Sequence, residues 1–350
     1  MSSNTTHICV VGSLNIDFAV STSRCPGPGE TLTANSLSVT AGGKGANQAV
    51  ACGRASLTSS DAAKVTVSMI GAVGADDVYY ATLIRPTLEG SGVDTKYIEE
   101  KTDSRTGSAT IIVEESAHGE NRILVVPGAN HAGMDDAQKI LATIQSYPQS
   151  PALVVLQGEI PRHTTLDLMK HFNQPGNPTH VLFNPAPVFE DGVPVDALAN
   201  TSVLVMNETE AAQMQASISA DSAIDTQATG ELKPEDLARR FHELANVKIV
   251  LITLGAKGVF FSTCTGRKGL VDGIRVQSVV DTTAAGDTFV GYFAAAFAEF
   301  IATSAPLEDF DNAVEQAVRR ANCAAALCVQ RPGSMQSIPK ALEVDSLDNH

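Results

Sequence analysis

The chain has 350 residues, 43% of them hydrophobic, which is enough apolar material for a large buried core and too much for a disordered protein. It carries 24 basic and 39 acidic residues, a net charge of −15, so the general surface is a poor partner for nucleic acid or for an anionic membrane. No apolar run reaches the roughly 20 residues of a membrane helix, and the polar start Met1-Ser2-Ser3-Asn4-Thr5-Thr6 has neither the basic nor the apolar region of a signal peptide.

Apolar, β-branched runs at residues 7–11, 65–70, 152–156, 180–183, 202–205 and 248–254 recur with helical intervals such as 234–245. Runs that are apolar throughout belong to strands covered on both faces, so the expected fold is α/β, three layers around a mainly parallel central sheet. Two stretches alternate polar and apolar residues instead, 31–40 and 108–126, the second broken by a hairpin turn at Ser116-Ala117-His118-Gly119-Glu120-Asn121. One wet and one dry face predict a small antiparallel sheet standing off the core as a lid, from about 17–41 and 107–126, within one domain spanning 1–350. Segments 56–64 and 215–231 show little periodicity and are expected as surface insertions, whereas 313–329, rich in small apolar residues, predicts a tightly packed helix. The six cysteines form no Cys-x-x-Cys pair and are expected as buried thiols of a reducing compartment, the cytoplasm, with the nucleus left open as a second location.

The most informative stretch is Asp281-Thr282-Thr283-Ala284-Ala285-Gly286-Asp287-Thr288-Phe289, a close turn that opens an apolar helix. Unpaired N–H groups and a partial positive charge at such a helix start suit a phosphate. Asp287 there either caps the helix or takes a proton from a hydroxyl that attacks phosphorus. Asn15 and Asp17 follow the first strand, on the edge of a parallel sheet where ligands bind, and equip it for neighbouring sugar hydroxyls or, alternatively, for an Asx turn. Ala41-Gly42-Gly43-Lys44-Gly45-Ala46-Asn47 is a glycine-rich turn without the Gly-Lys-Ser/Thr ending of a Walker A loop. Three more strand ends carry Glu159, then Asn207 with Glu210, then the turn Thr253-Leu254-Gly255-Ala256-Lys257-Gly258, where small residues leave room for a flat ring or a triphosphate. Glu210 could act on magnesium through water and Asn207 could reach a phosphate; both could equally be a solvated helix start.

These motifs, with Asn184-Pro185-Ala186-Pro187 between them, resemble in order and spacing the PfkB-type carbohydrate kinase family, its ribokinase branch above others, from about His7 to about Pro339. The resemblance implies a ribokinase-like fold and phosphorylation of D-ribose at its 5-hydroxyl by MgATP. Asp287 would be the base and the amides of Ala285, Gly286 and Asp287 the anion hole. Asn15, Asp17, Gly43, Lys44, Asn47 and Glu159 would hold the sugar; Asn207, Thr253, Gly255, Gly258 and Asn322 would line the nucleotide site, Asn322 standing where the branch often has a His against the adenine. An activating potassium ion would sit by Asp281, Thr283, Cys328, Arg331, Gly333 and Ser337, with Cys328 in place of a smaller residue. Exposed lid edges predict a homodimer formed through the lid sheets. Two rival readings remain: a sibling kinase of another sugar or a nucleoside, for which 5% aromatics offer few stacking partners, and a non-catalytic sugar sensor.

Overall fold

Apolar residues on successive positions of the strands point alternately to two separate cores, and that alternation organises the molecule. The computed structural model describes residues 5–57, 65–117, 120–220 and 233–348. Its strands are β1 (Thr6–Val11), β2 (Asn15–Thr22), β3 (Ser36–Gly42), β4 (Val65–Gly74), β5 (Val93–Lys101), β6 (Gly107–Glu114), β7 (Glu120–Val126), β8 (Leu153–Leu156), β9 (His180–Phe183), β10 (Val203–Asn207), β11 (Ile249–Thr253), β12 (Gly258–Thr263) and β13 (Lys268–Asp272). A nine-stranded sheet runs β13-β12-β11-β10-β9-β8-β1-β4-β5. It is parallel from β11 to β5, and β12 and β13 extend one edge antiparallel.

Ile8, Val10, Leu153, Val155, Val203, Val205, Ile249 and Leu251 face one core, which the helices Lys44–Ser56, Ala285–Ile301 and Val314–Cys328 cover. Cys9, Val11, Val154, Leu156, Leu204, Met206, Val250 and Ile252 face the other, under the helices Ala137–Gln145, Arg162–Phe172, Glu208–Ala220 and Pro234–Ala245. Burial on both faces is why these strands read as unbroken apolar runs. Phe289, Phe293 and Phe297 lie four apart, so they stack along one side of the Ala285–Ile301 helix, with Phe310 edge-on against the last two. This packing anchors the helix whose first turn carries Asp287.

The second sheet is four-stranded, β3-β2-β6-β7. Each of its hairpins, β2 with β3 and β6 with β7, is antiparallel, and the hairpins meet along a parallel β2–β6 seam. It begins at Asn15, with three residues between it and the end of β1, so Asn15 and Asp17 already lie on its strand β2. The expected insertions need correction: Ser56 closes the Lys44–Ser56 helix and 215–220 continue the Glu208–Ala220 helix, because Met214 and Ile218 one turn apart are fully buried. The rest of both insertions, 58–64 and 221–231, and the centre of the 116–121 turn lie outside the described residues. The helix expected over 313–329 is present as Val314–Cys328. Among the described residues no helix is long and apolar enough to cross a membrane.

Candidate active site

The parallel strands end at one edge, and the second sheet stands over it. Between them lies a cleft of about 600 Å³. Of the residues singled out in the sequence, Asn15, Asp17, Gly43, Lys44, Asn47, Glu159, Asn207, Glu210, Thr253, Gly255, Thr283, Gly286 and Asp287 line it, joined by Ala109, Ile111, Ile123 and Val125 of the second sheet.

Asp287 lies in the first turn of the Ala285–Ile301 helix and is buried. The turn before it is tight: Ala284 precedes the helix with φ 59°, a left-handed conformation that costs a non-glycine residue about 1–2 kcal/mol. Asp287 makes no capping bond of its own. Its Oδ2 accepts from Asn47 Nδ2 and its Oδ1 from Gln48 Nε2, both at 2.9 Å, so two neutral amides aim the carboxylate and leave the start of the helix uncapped. The capping alternative is thereby removed. A methyl added at Gly286 would meet no protein atom within 4 Å, although Gly286 lines the cleft. The fold itself does not require glycine there.

Around Asp287 the charges are dense. Burial first, then the Glu159 and Asp287 carboxylates, push the Asp17 carboxyl up to about 7, with Lys44 pulling the other way. Burial works against the Lys44 ammonium, but Asp287, Glu159, Glu210 and Asp17 together outweigh it and raise its pKa, so Lys44 stays charged. Glu210 is raised by burial, against the Asn207 amide and Lys44. Glu159 Oε2 accepts from Ser13 Oγ at 2.5 Å and from the Lys44 amide at 2.9 Å, which pins the glycine turn and leaves Oε1 for a ligand. Gly43 has to be glycine: its φ is 90°, and a Cβ would come within 2.9 Å of Asn15 N, Leu14 Cα and Ser13 O. Asn130 accepts from the Leu14 amide and donates from Nδ2 to Leu14 O and Asn15 Oδ1, so the oxygen of Asn15, which lines the cleft, is engaged and its NH2 is the group left to donate. Asn207 and Glu210 cap the Glu208–Ala220 helix reciprocally, Asn207 N to Glu210 Oε2 and Glu210 N to Asn207 Oδ1.

Other expected residues lie apart from the cleft lining. Ala285 sits on the helix turn behind Gly286. Gly258 turns the chain into β12 at φ 106°, where a Cβ would sit 2.0 Å from Val271 O, so it serves the backbone. Asn322 spends its amide on Asp272 O at 2.8 Å, tying its helix to β13. Asp281, Cys328, Arg331, Gly333 and Ser337 gather behind the loop that leads to Asp287. Asp281 accepts from the amides of Thr283 and Gly333, both at 2.9 Å; the Cys328 thiol, raised by burial, lies 3.1 Å from Ser337 Oγ; Arg331 turns away to Glu343. Among the described residues no three His, Cys, Asp or Glu side chains cluster as metal ligands.

Sequence reasoning missed Gln48, Gln157, Asn130, Ser13 and Ser334, and gave Asn184 no role. A signal existed for Gln48, which is followed by the small apolar run Ala49-Val50-Ala51-Cys52 and, on a helix that buries that run, needs a buried partner.

Comparison with known proteins shows the family of the chain. The family model for pfkB family carbohydrate kinases matches residues 5–341. A ribokinase of Schizosaccharomyces pombe is 37% identical over 347 residues, covering 98% of each chain. The solved structure of a Thermotoga maritima ribokinase superposes with a TM-score of 0.77 at 32% identity, covering 99% of this chain and 100% of that one. The structure of an Arabidopsis thaliana ribokinase complexed with ribose and ATP superposes with a TM-score of 0.76 at 29% identity, covering 99% of both chains. With a family model matching residues 5–341 and relatives similar over nearly its whole length, the chain belongs to the pfkB family of carbohydrate kinases.

Proposed function

We propose that this protein is an ATP-dependent kinase of D-ribose, which it converts to ribose 5-phosphate with release of ADP, the whole chain acting as one kinase unit with the four-stranded sheet as its lid. The observation that carries the reading is Asp287: a buried carboxylate, aimed by two amides, beside uncapped helix N–H groups and an empty space at Gly286. The names of the relatives support ribose as the acceptor.

In this reading Asn15, Asp17, Gly43, Lys44, Asn47 and Glu159 hold the sugar so that its 5-hydroxyl meets Asp287. Asp287 takes that proton as the oxygen bonds to the γ-phosphorus, and the bond from phosphorus to the β,γ-bridging oxygen breaks with its electrons leaving on ADP. The amides of Ala285, Gly286 and Asp287, with the helix dipole, meet the charge on the moving phosphoryl group. Ile111, Ile123 and Val125 of the lid exclude water, a competing hydroxyl. Asn207, Thr253 and Gly255 border the nucleotide; Gly258 shapes that turn and Asn322 supports the wall behind it.

Magnesium would supply charge neutralisation on the phosphates, with Glu210 reaching it through water; the cleft position of Glu210 and its single capped oxygen fit that use. Potassium would order the loop behind the anion hole. One carboxylate, Asp281, with the hydroxyl and carbonyl oxygens of Thr283, Cys328, Arg331, Gly333 and Ser337, is a donor set suited to a weakly held monovalent ion. The exposed apolar side chains of β7, Leu124 and Val126, support pairing of two lids across a dyad in a cytoplasmic homodimer. Coupled ADP detection over a panel of pentoses, hexoses and nucleosides tests the assignment. Turnover should be greatest with ribose and should fall when potassium is replaced by sodium; faster turnover of a hexose or nucleoside would overturn the substrate, and equal rates in the two salts would overturn the ion.

A further inference from the structure

Gln48 is fully buried in the Lys44–Ser56 helix. Its Nε2 donates to Asp287 Oδ1 at 2.9 Å and to Asn184 Oδ1 at 3.0 Å, while its Oε1 accepts from Gln157 Nε2 at 2.9 Å. The orientation of this amide is forced. A carboxylate can only accept, and Asn184 has committed its NH2 to Val205 O at 2.9 Å, so both groups facing Gln48 require donors and its NH2 must turn to them. Its oxygen then needs a donor of its own, which Gln157 provides. Gln157 keeps its place only because residue 12 is glycine: a Cβ there would lie 2.0 Å from Gln157 Oε1. The same Gln157 oxygen is buried with no hydrogen-bond partner, a cost accepted where the amide must point one way. Residues from the ends of β8 and β9 thus converge on one amide, Gln48, and through it on one oxygen of the Asp287 carboxylate.

We propose that Gln48 is a positioning residue for the phosphoryl transfer, holding the Asp287 carboxylate in a single rotamer. The inference rests on Asp287 being the base. Without the amide, the Asp287 side chain keeps only its Asn47 contact and samples other staggered wells. Sugar contacts made by Asn15, Asp17 and Glu159 do not involve Gln48, so the loss falls on turnover and spares sugar affinity.

The test compares the parent, Gln48→Leu and Gln48→Glu at saturating MgATP, reading kcat and the sugar KM across pH, with pentose binding by calorimetry. Gln48→Leu should lose about 10- to 100-fold in kcat, the usual cost of removing a group that orients a reacting residue, with KM changed less than about threefold. Gln48→Glu keeps the shape but sets a second carboxylate against Asp287, so the acid limb of its kcat profile should move up by about one pH unit or more. A merely structural role would lower the melting temperature of Gln48→Leu and leave the kcat of the folded variant at the parental value. Gln48→Leu with parental kcat, or a loss lying wholly in KM, overturns the proposal, and so does a parental pH profile in Gln48→Glu. Should Gln48→Leu not fold, the Gln48→Glu profile decides. A parent chain that phosphorylates no sugar would overturn the proposed function, and this inference with it.

Discussion

The two ends of the cleft are built differently. At the end proposed for the sugar, Asn47, Gln48, Asn184 and Asp287 are buried and bonded to one another, Asn15 is buried and bonded to Asn130, and Asp17, buried too, lines the same cleft. At the end proposed for the nucleotide, Asn207, Gly255, Thr282 and Thr283 are exposed, and Val279 and Val280 stand out into solvent. One end is a preformed mould and the other an open shelf. On the proposed function, selectivity would belong in the mould, where a wrong hydroxyl leaves a buried polar group unpaired, and the shelf would need only to grip phosphate with backbone.

Substitutions can break or sharpen that contrast. Asp287→Asn should keep the fold and pentose binding yet lose roughly 10²–10⁴ in kcat, the range for a positioned base; near-parental turnover would remove Asp287 from the role. Gly286→Ala should leave the melting temperature close to the parent's, since its methyl meets no protein atom, while filling the anion space and lowering kcat by about 10². A parental rate would mean that no phosphate sits there. Asp17→Asn probes the mould through pH. Because folding raises this carboxyl from 3.8 to about 7, its contribution to stability is full below about pH 4 and is lost as pH rises through 7. The substitution should therefore raise the melting temperature more at pH 8 than at pH 5, and should weaken ribose binding about tenfold by losing an acceptor. Equal shifts at the two pH values would contradict that electrostatic cost. On the shelf, Asn207→Ala should raise the ATP KM only about two- to fivefold, as for a solvent-exposed contact, and steady-state kinetics at fixed ribose will show it.

How much of this was legible in the sequence follows the same division. Strands β1, β8, β9, β10 and β11 were readable because burial on both faces makes their code continuous. Strand β5, Val-Asp-Thr-Lys-Tyr-Ile-Glu-Glu-Lys, was not, since an edge strand with one wet face resembles a loop. Strands β12 and β13 were hidden by the parallel βα rhythm that they interrupt. At the site, the carboxylates and glycines announced themselves because their chemistry or backbone freedom is local. Gln48 and Asn130 did not, because their meaning lies in partners 239 and 115 residues away. Gly258 and Asn322 stood out in the sequence for the nucleotide, yet their visible bonds belong to the turn and to β13.

The most direct test of the central claim is a structure of the protein with ribose and a non-hydrolysable ATP analogue. The expected result is the ribose 5-oxygen within hydrogen-bond reach of Asp287, about 2.6–3.2 Å, with the γ-phosphate against the amides of Ala285, Gly286 and Asp287. An Asp287 carboxyl turned away from both molecules, or a γ-phosphate seated elsewhere, would contradict it.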